Sequence, residues 1–282
     1  MPSLTINDIE LWFEREGHGR PVIFLHAFAI TGKMWFPQAL ALTAAGYDVV
    51  CVDQRGHGRS SSPPGPYTIP QMAEDIHRFI TSLNLKEVCV VGLSMGGRVA
   101  LRLALDYPRD VAALVLVSAK SEPAREIQFE LEALATRAEQ GEVDRAVSEW
   151  YEERYQRLAG CAPELTRCLI EEWRTKPGNG FAGAARAIIE MEEMTTRVSE
   201  ISVPVLAVAG ALDSPCLPFV AWYERAIPDC RGTIVAEAAH FVNVEQPDRF
   251  NDLLLTFLAD HAGCGVRASS IQTSTTFHAL SG

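Results

Sequence analysis

Val88-Cys89-Val90-Val91-Gly92-Leu93-Ser94-Met95-Gly96-Gly97 is the stretch that decides how this chain is read. An apolar run of strand length ends in Gly-x-Ser-x-Gly, and a helical pattern begins at once. A serine at so tight a strand-to-helix turn sits on strained backbone, with its hydroxyl held clear of the chain. Gly92 and Gly96 remove side chains that would clash in the bend. The helix that follows aims free N–H groups and a positive dipole end at whatever reacts there. Gly-x-Ser-x-Gly alone is common in ordinary turns; the strand before it and the helix after it make Ser94 a candidate nucleophile.

The same texture repeats on either side. Apolar runs of strand length fall at Val22–Leu25, Val49–Val52, Ala112–Val117, Val205–Ala209 and Thr233–Val235. They are nearly continuous in apolar character rather than alternating, which suits strands covered on both faces of a parallel sheet. Helical patterns lie at Met72–Leu83, Met95–Leu105 and Asp248–Leu258. The start differs: Ile9, Leu11 and Phe13 alternate with Glu10, Trp12 and Glu14 after a turn signal at Asn7-Asp8, as in a hairpin. Strand, helix, strand repetition predicts an α/β class with an open sheet and right-handed crossovers.

The alternation stops between Ser121 and Arg197. Apolar residues there, among them Leu131, Leu134, Val147, Trp150, Leu169, Trp173, Ile188 and Met194, recur at helical spacing. Three or four helices are expected, punctuated by Gly160, Pro163, Pro177–Gly180 and Gly183. An all-helical insert at the carboxyl edge of a parallel sheet is placed to cover the ligand site. Residues 1–120 and 198–262 are therefore read as the core, 121–197 as a helical lid, and the Gly/Ser/Thr-rich stretch 263–282 as a disordered tail.

Composition narrows the partners. The chain has 282 residues, 48% of them hydrophobic, enough for a large α/β core or for a core with one inserted subdomain. A net charge of −11 repels phosphate backbones and anionic membranes, so neither nucleic acid nor a membrane is expected as partner. No run approaches the ~20 apolar residues of a membrane span, and Met1–Thr5 lacks the start of a secretory signal. The seven cysteines are scattered, with no Cys-x-x-Cys pair, which argues against a metal site or a disulfide framework. A reducing, cytoplasmic setting is the simplest expectation.

A serine hydroxyl needs a base. Of the seven histidines, His240 follows a late strand-like run and precedes a helix-entry segment, Glu245-Gln246-Pro247-Asp248, so its loop can reach over the sheet. His18, His77, His261 and His278 read as structural or solvated, and His57 as part of a tight, glycine-bounded turn. Asp213 follows the run Val205–Ala209 and is the acid best placed to orient His240, whereas the preceding strand ends in Ser118-Ala119-Lys120. The order Ser94, Asp213, His240 matches that of a hydrolytic triad on an α/β sheet. Two backbone donors would bind an oxyanion: the N–H of Met95, and that of Phe28 in the loop His26-Ala27-Phe28-Ala29. His26 is either a loop organiser or a residue at the substrate. Trp150, Tyr151, Tyr155, Trp173, Phe181, Met191 and Met194 are either pocket wall or lid core. Arg125, Arg137, Arg154, Arg157 and Arg174 are either cations for a substrate carboxylate or, as is usual for such residues, solvated helix faces.

Together the His26 loop, Trp35, Asp53-x-Arg55-Gly56-x-Gly58-x-Ser60, Gly92–Gly97, Gly210-x-x-Asp213 and His240-x-x-x-x-Glu245-x-Pro247 resemble the α/β-hydrolase superfamily from about Leu4 to Leu258. Pro63–Ile69 and Gly92–Gly97 resemble 3-oxoadipate enol-lactonases and related carboxylesterases. Two positions depart from that pattern, Ala27 after the loop histidine and Ala239 before His240, where those families carry glycine. The resemblance implies a mostly parallel eight-stranded sheet flanked by helices, and a cofactor-independent serine hydrolase acting on a small-molecule ester or lactone through an acyl-enzyme. Three other activities share such a scaffold: C–C bond hydrolysis in aromatic breakdown, perhydrolysis, and ligand reception without catalysis.

Overall fold

A computed structural model describes residues 3–7 and 9–261; the tail expected to be disordered lies outside these. Eight strands form one sheet: β1 (Ser3–Ile6), β2 (Ile9–Gly17), β3 (Pro21–Leu25), β4 (Asp48–Val52), β5 (Val88–Leu93), β6 (Val111–Val117), β7 (Val205–Gly210) and β8 (Cys230–Val235). Their order across the sheet is β1-β2-β4-β3-β5-β6-β7-β8. Pairing from β4 through β3 to β8 is parallel, while β1 pairs with β2 and β2 with β4 antiparallel. The class expected from the sequence is the one observed.

The continuous apolar runs are the strands buried on both faces. Every residue of β3, β4, β5 and β7 is buried. The edge strand β8 alternates weakly, with Ile234 44% exposed, and begins three residues earlier than its apolar run does. Between strands lie α1 (Phe36–Ala44), α2 (Ile69–Ser82) and α3 (Met95–Asp106). Thr68 caps α2 by accepting the Gln71 N–H on its hydroxyl, and Pro70 fits the first turn, where no N–H is needed.

From β6 to β7 the chain is helical: α4 (Gln128–Glu139), α5 (Val143–Arg154), α6 (Gln156–Cys161), α7 (Pro163–Arg174) and α8 (Gly178–Ile189). There are five helices here rather than three or four, because α5 and α6 separate at Tyr155, a residue that carries no breaker chemistry. The chain closes with α9 (Leu217–Ala226), the short α10 (Val242–Glu245) and α11 (Pro247–Asp260). Among the described residues no helix is long and apolar enough to cross a membrane.

Candidate active site

The carboxyl ends of β5, β6, β7 and β8 are neighbours, and each delivers one residue to a common edge. Ser94 stands directly after β5 at φ 53 and ψ −110, backbone that an L-residue adopts only under strain, and it precedes the first residue of α3. The bend is tight because its glycines leave no room for side chains. A Cβ on Gly92 would sit 2.3 Å from Gly96 O, and one on Gly96 would sit 2.2 Å from Leu25 O. The Ser94 N–H donates to Val117 O at 2.9 Å and the Gly96 N–H to His26 O at 3.1 Å, which ties the bend to β6 and to the loop after β3.

Asp213 and His240 meet because the loops after β7 and β8 are zipped together. Ala211 N–H donates to Val235 O and Leu212 N–H to Ala238 O, at 2.8 and 2.9 Å. A Cβ on Gly210 would lie 2.2 Å from Ala239 O. His240 Nδ1 then donates to Asp213 Oδ2 at 2.9 Å, with the carboxylate buried and the imidazole 31% exposed. Burial alone would push the Asp213 carboxyl up; the hydrogen bond and charge of His240, with the Ser118 hydroxyl and Cys216 thiol nearby, outweigh it and hold the group below its usual value. The ligand-type atoms of Asp213, Cys216 and His240 all lie within 4.8 Å of one another. His240 is joined to the carboxylate by its Nδ1 hydrogen bond, and burial beside that carboxylate pushes the Cys216 thiol well up. Sequence reading named neither Ser118 nor Cys216 as site residues. Ser118 directly follows β6 at φ 47, an irregularity that the sequence does not announce.

The loop after β3 is organised by two buried histidines. His26 Nδ1 donates to Ala27 O at 2.7 Å, and its Nε2 accepts the Gln54 N–H at 2.9 Å. Both ring nitrogens are thus spent within the scaffold. The Ala27–Phe28 peptide is trans, so fixing Ala27 O points the Phe28 N–H the opposite way. His57 Nε2 accepts the N–H of Ala29 at 3.2 Å, where the chain passes through φ 56. Burial pushes His26 down to about 4, and burial together with the neighbouring His26 holds His57 well below its usual value.

The insert's aromatics grip this loop. Tyr155 Oη donates to Phe28 O at 2.7 Å, while Tyr151 Oη and Trp173 Nε1 both donate to Ala29 O, at 2.8 and 3.1 Å. Trp150 meets the Phe28 ring edge-on with centroids 5.4 Å apart, and Met191 is 6% exposed in the apolar core. The polar atoms of Tyr151 and Trp173 are therefore committed to loop carbonyls rather than offered to a ligand. Of the insert's cations, Arg137 pairs with Glu149, Arg154 with Glu130, and Arg157 with Glu245.

A mostly parallel sheet that carries a strained serine after β5 and a hydrogen-bonded Asp–His pair after β7 and β8 defines a hydrolase scaffold. The chain belongs to the alpha/beta hydrolase fold family, whose profile matches residues 20–160. It is 29% identical over 255 residues to 3-oxoadipate enol-lactonase 2 of Acinetobacter baylyi, covering 88% of this chain and 93% of that protein. It is 27% identical over 262 residues to the AB hydrolase superfamily protein YisY of Bacillus subtilis, covering 90% and 97%. A thermophilic esterase from Thermogutta terrifontis superimposes with a TM-score of 0.76 at 26% identity, covering 90% of this chain and 94% of that one.

Proposed function

We propose that this protein is a serine hydrolase that cleaves a small carboxylic ester or lactone through an acyl-enzyme. The 2.9 Å hydrogen bond between Asp213 and His240, one loop apart on the sheet edge that presents Ser94, carries the proposal. With its Nδ1 proton held by Asp213, the imidazole keeps Nε2 as its basic atom. His240 accepts the Ser94 proton as the hydroxyl attacks the acyl carbon, and Asp213 stabilises the imidazolium that forms. His240 then returns the proton to the leaving alcohol and activates the water that releases the acid. The N–H groups of Met95 and Phe28 bind the oxyanion; the first belongs to the opening turn of α3, and the second is directed by the His26 clamp on Ala27. Residues 121–197 act as a lid over this edge of a core formed by 1–120 and 198–262. The enol-lactonase and esterase names among its relatives support the substrate class.

The test is turnover of a panel of neutral p-nitrophenyl esters, enol-lactones and acyl homoserine lactones by the wild type and by Ser94→Ala. Hydrolysis of at least one ester or lactone is expected, with kcat reduced about 10⁶-fold in the variant. Near-normal turnover by Ser94→Ala contradicts the proposal.

A further inference from the structure

We propose that Arg157 and Glu245 form a latch through which the helical insert fixes the loop carrying His240, so that both act as positioning residues for the base. This rests on the assignment of His240 as base. The Glu245 side chain is 3% exposed. Its Oε2 accepts the N–H of Ala239 at 3.0 Å, and its Oε1 accepts that of Phe241 at 3.2 Å. These two amides flank His240, so one carboxylate sets the backbone on both sides of the imidazole.

A carboxylate buried this far needs a counter-charge. Arg157 supplies it from α6 of the insert: Nε meets Glu245 Oε2 at 2.6 Å, and Nη2 donates to Glu237 O at 3.0 Å. Glu237 stands at φ 61, three residues before His240, in backbone that calls for outside support. One guanidinium thus holds the loop at its strained entry and at the buried acid beyond it. Tyr155, at the break between α5 and α6, reaches the other side of the site: its hydroxyl holds Phe28 O, and its ring meets the Phe241 ring edge-on at 4.6 Å. Residues 155–157 therefore engage the loops of both the oxyanion donor and the base. Movement of the insert away from the sheet would release His240 together with the cover, which couples closure to assembly of the site. Arg157 is 53% exposed, so salt reaches the latch from outside while Glu245 stays shielded.

The experiment compares full-length wild type with Arg157→Ala, Arg157→Lys and, as a control, Arg154→Ala, whose pair with Glu130 lies wholly within the insert. The readouts are kcat and KM on a p-nitrophenyl ester, the same at low and at about 1 M NaCl, and Tm. Arg157→Ala is expected to lower kcat about tenfold with KM nearly unchanged, and to lower Tm because Glu245 is left buried without its cation. Arg157→Lys is expected to recover part of the loss, since an ammonium restores charge but not the two-point grip. Added salt is expected to lower the wild-type kcat toward that of Arg157→Ala while leaving Arg157→Ala itself unmoved, and Arg154→Ala is expected to behave as wild type. A kcat for Arg157→Ala equal to wild type, or an equal loss in Arg154→Ala, overturns the latch while the base assignment stands. A wild type that neither hydrolyses the ester nor takes a fluorophosphonate at Ser94 overturns the base assignment and the latch with it.

Discussion

Gly96→Ala tests how closely the nucleophile's bend is built against the loop after β3. The added Cβ would meet Leu25 O at 2.2 Å, Leu25 C at 2.5 Å and His26 O at 2.7 Å, all of them backbone atoms that no side-chain rotation can move. Relief requires the start of α3 to retreat from the loop by more than about 1 Å. Overpacking of this kind costs about 1–3 kcal/mol. The 3.1 Å hydrogen bond from Gly96 N–H to His26 O stretches in the same movement and adds about 1 kcal/mol. For a chain of 282 residues the sum corresponds to a Tm about 3–7 °C lower. Catalysis suffers separately, because the retreat moves Ser94 and the Met95 N–H away from Phe28; a displacement of about 1 Å is enough to cost ~10²-fold in kcat/KM. Gly160→Ala is the control, since nothing lies within 4 Å of a Cβ there and its φ is not positive. Thermal melts and ester kinetics on both variants decide the matter. If Gly96→Ala keeps wild-type kcat/KM and melts with Gly160→Ala, the close approach inferred between bend and loop is wrong.

Stability is expected to fall on mild acidification. The folded protein holds His26 and His57 neutral below their usual 6.5, so the unfolded chain takes up the extra protons as pH drops from 6.5 toward 4; His26 alone removes about 2 kcal/mol of unfolding free energy by pH 5. The depressed carboxyl of Asp213 works only below its ordinary 3.8 and leaves that window untouched. Urea unfolding at pH 7.5 and pH 5 measures the difference, and equal free energies would contradict the buried-neutral assignment. Asp213→Asn is expected to lower kcat about 10⁴-fold with little change in KM, because the amide no longer fixes the imidazole's Nδ1 proton; a loss below tenfold in ester turnover would remove Asp213 from the mechanism.

Much of the framework is legible in the sequence because doubly covered strands have no polar face to hide. The runs at Val22–Leu25, Val49–Val52, Val88–Val91 and Val205–Ala209 each became a fully buried strand. The meeting of Asp213 with His240 could be anticipated from their placement after successive late strands. What escaped depends on contacts between distant segments. Nothing local at Tyr155 breaks a helix; the break coincides with its hydroxyl bond to Phe28 O and its ring contact with Phe241. Likewise Arg157 reads as an ordinary solvated cation until the fold sets it against Glu245, 88 residues away. Tyr151 and Trp173 resemble pocket aromatics in the sequence, yet their polar atoms serve Ala29 O. Ser118 occupies a position where an acid would have been noticed, and a small hydroxyl residue near another residue's carboxylate leaves no pattern in the sequence.

The most direct measurement is the mass of the intact protein after exposure to a fluorophosphonate, followed by peptide mapping of the adduct. One adduct per chain on Ser94 is expected, absent in Ser94→Ala and slowed at least a hundredfold in His240→Ala. An unlabelled wild type, or label that persists undiminished in Ser94→Ala, would contradict the assignment of Ser94 as nucleophile.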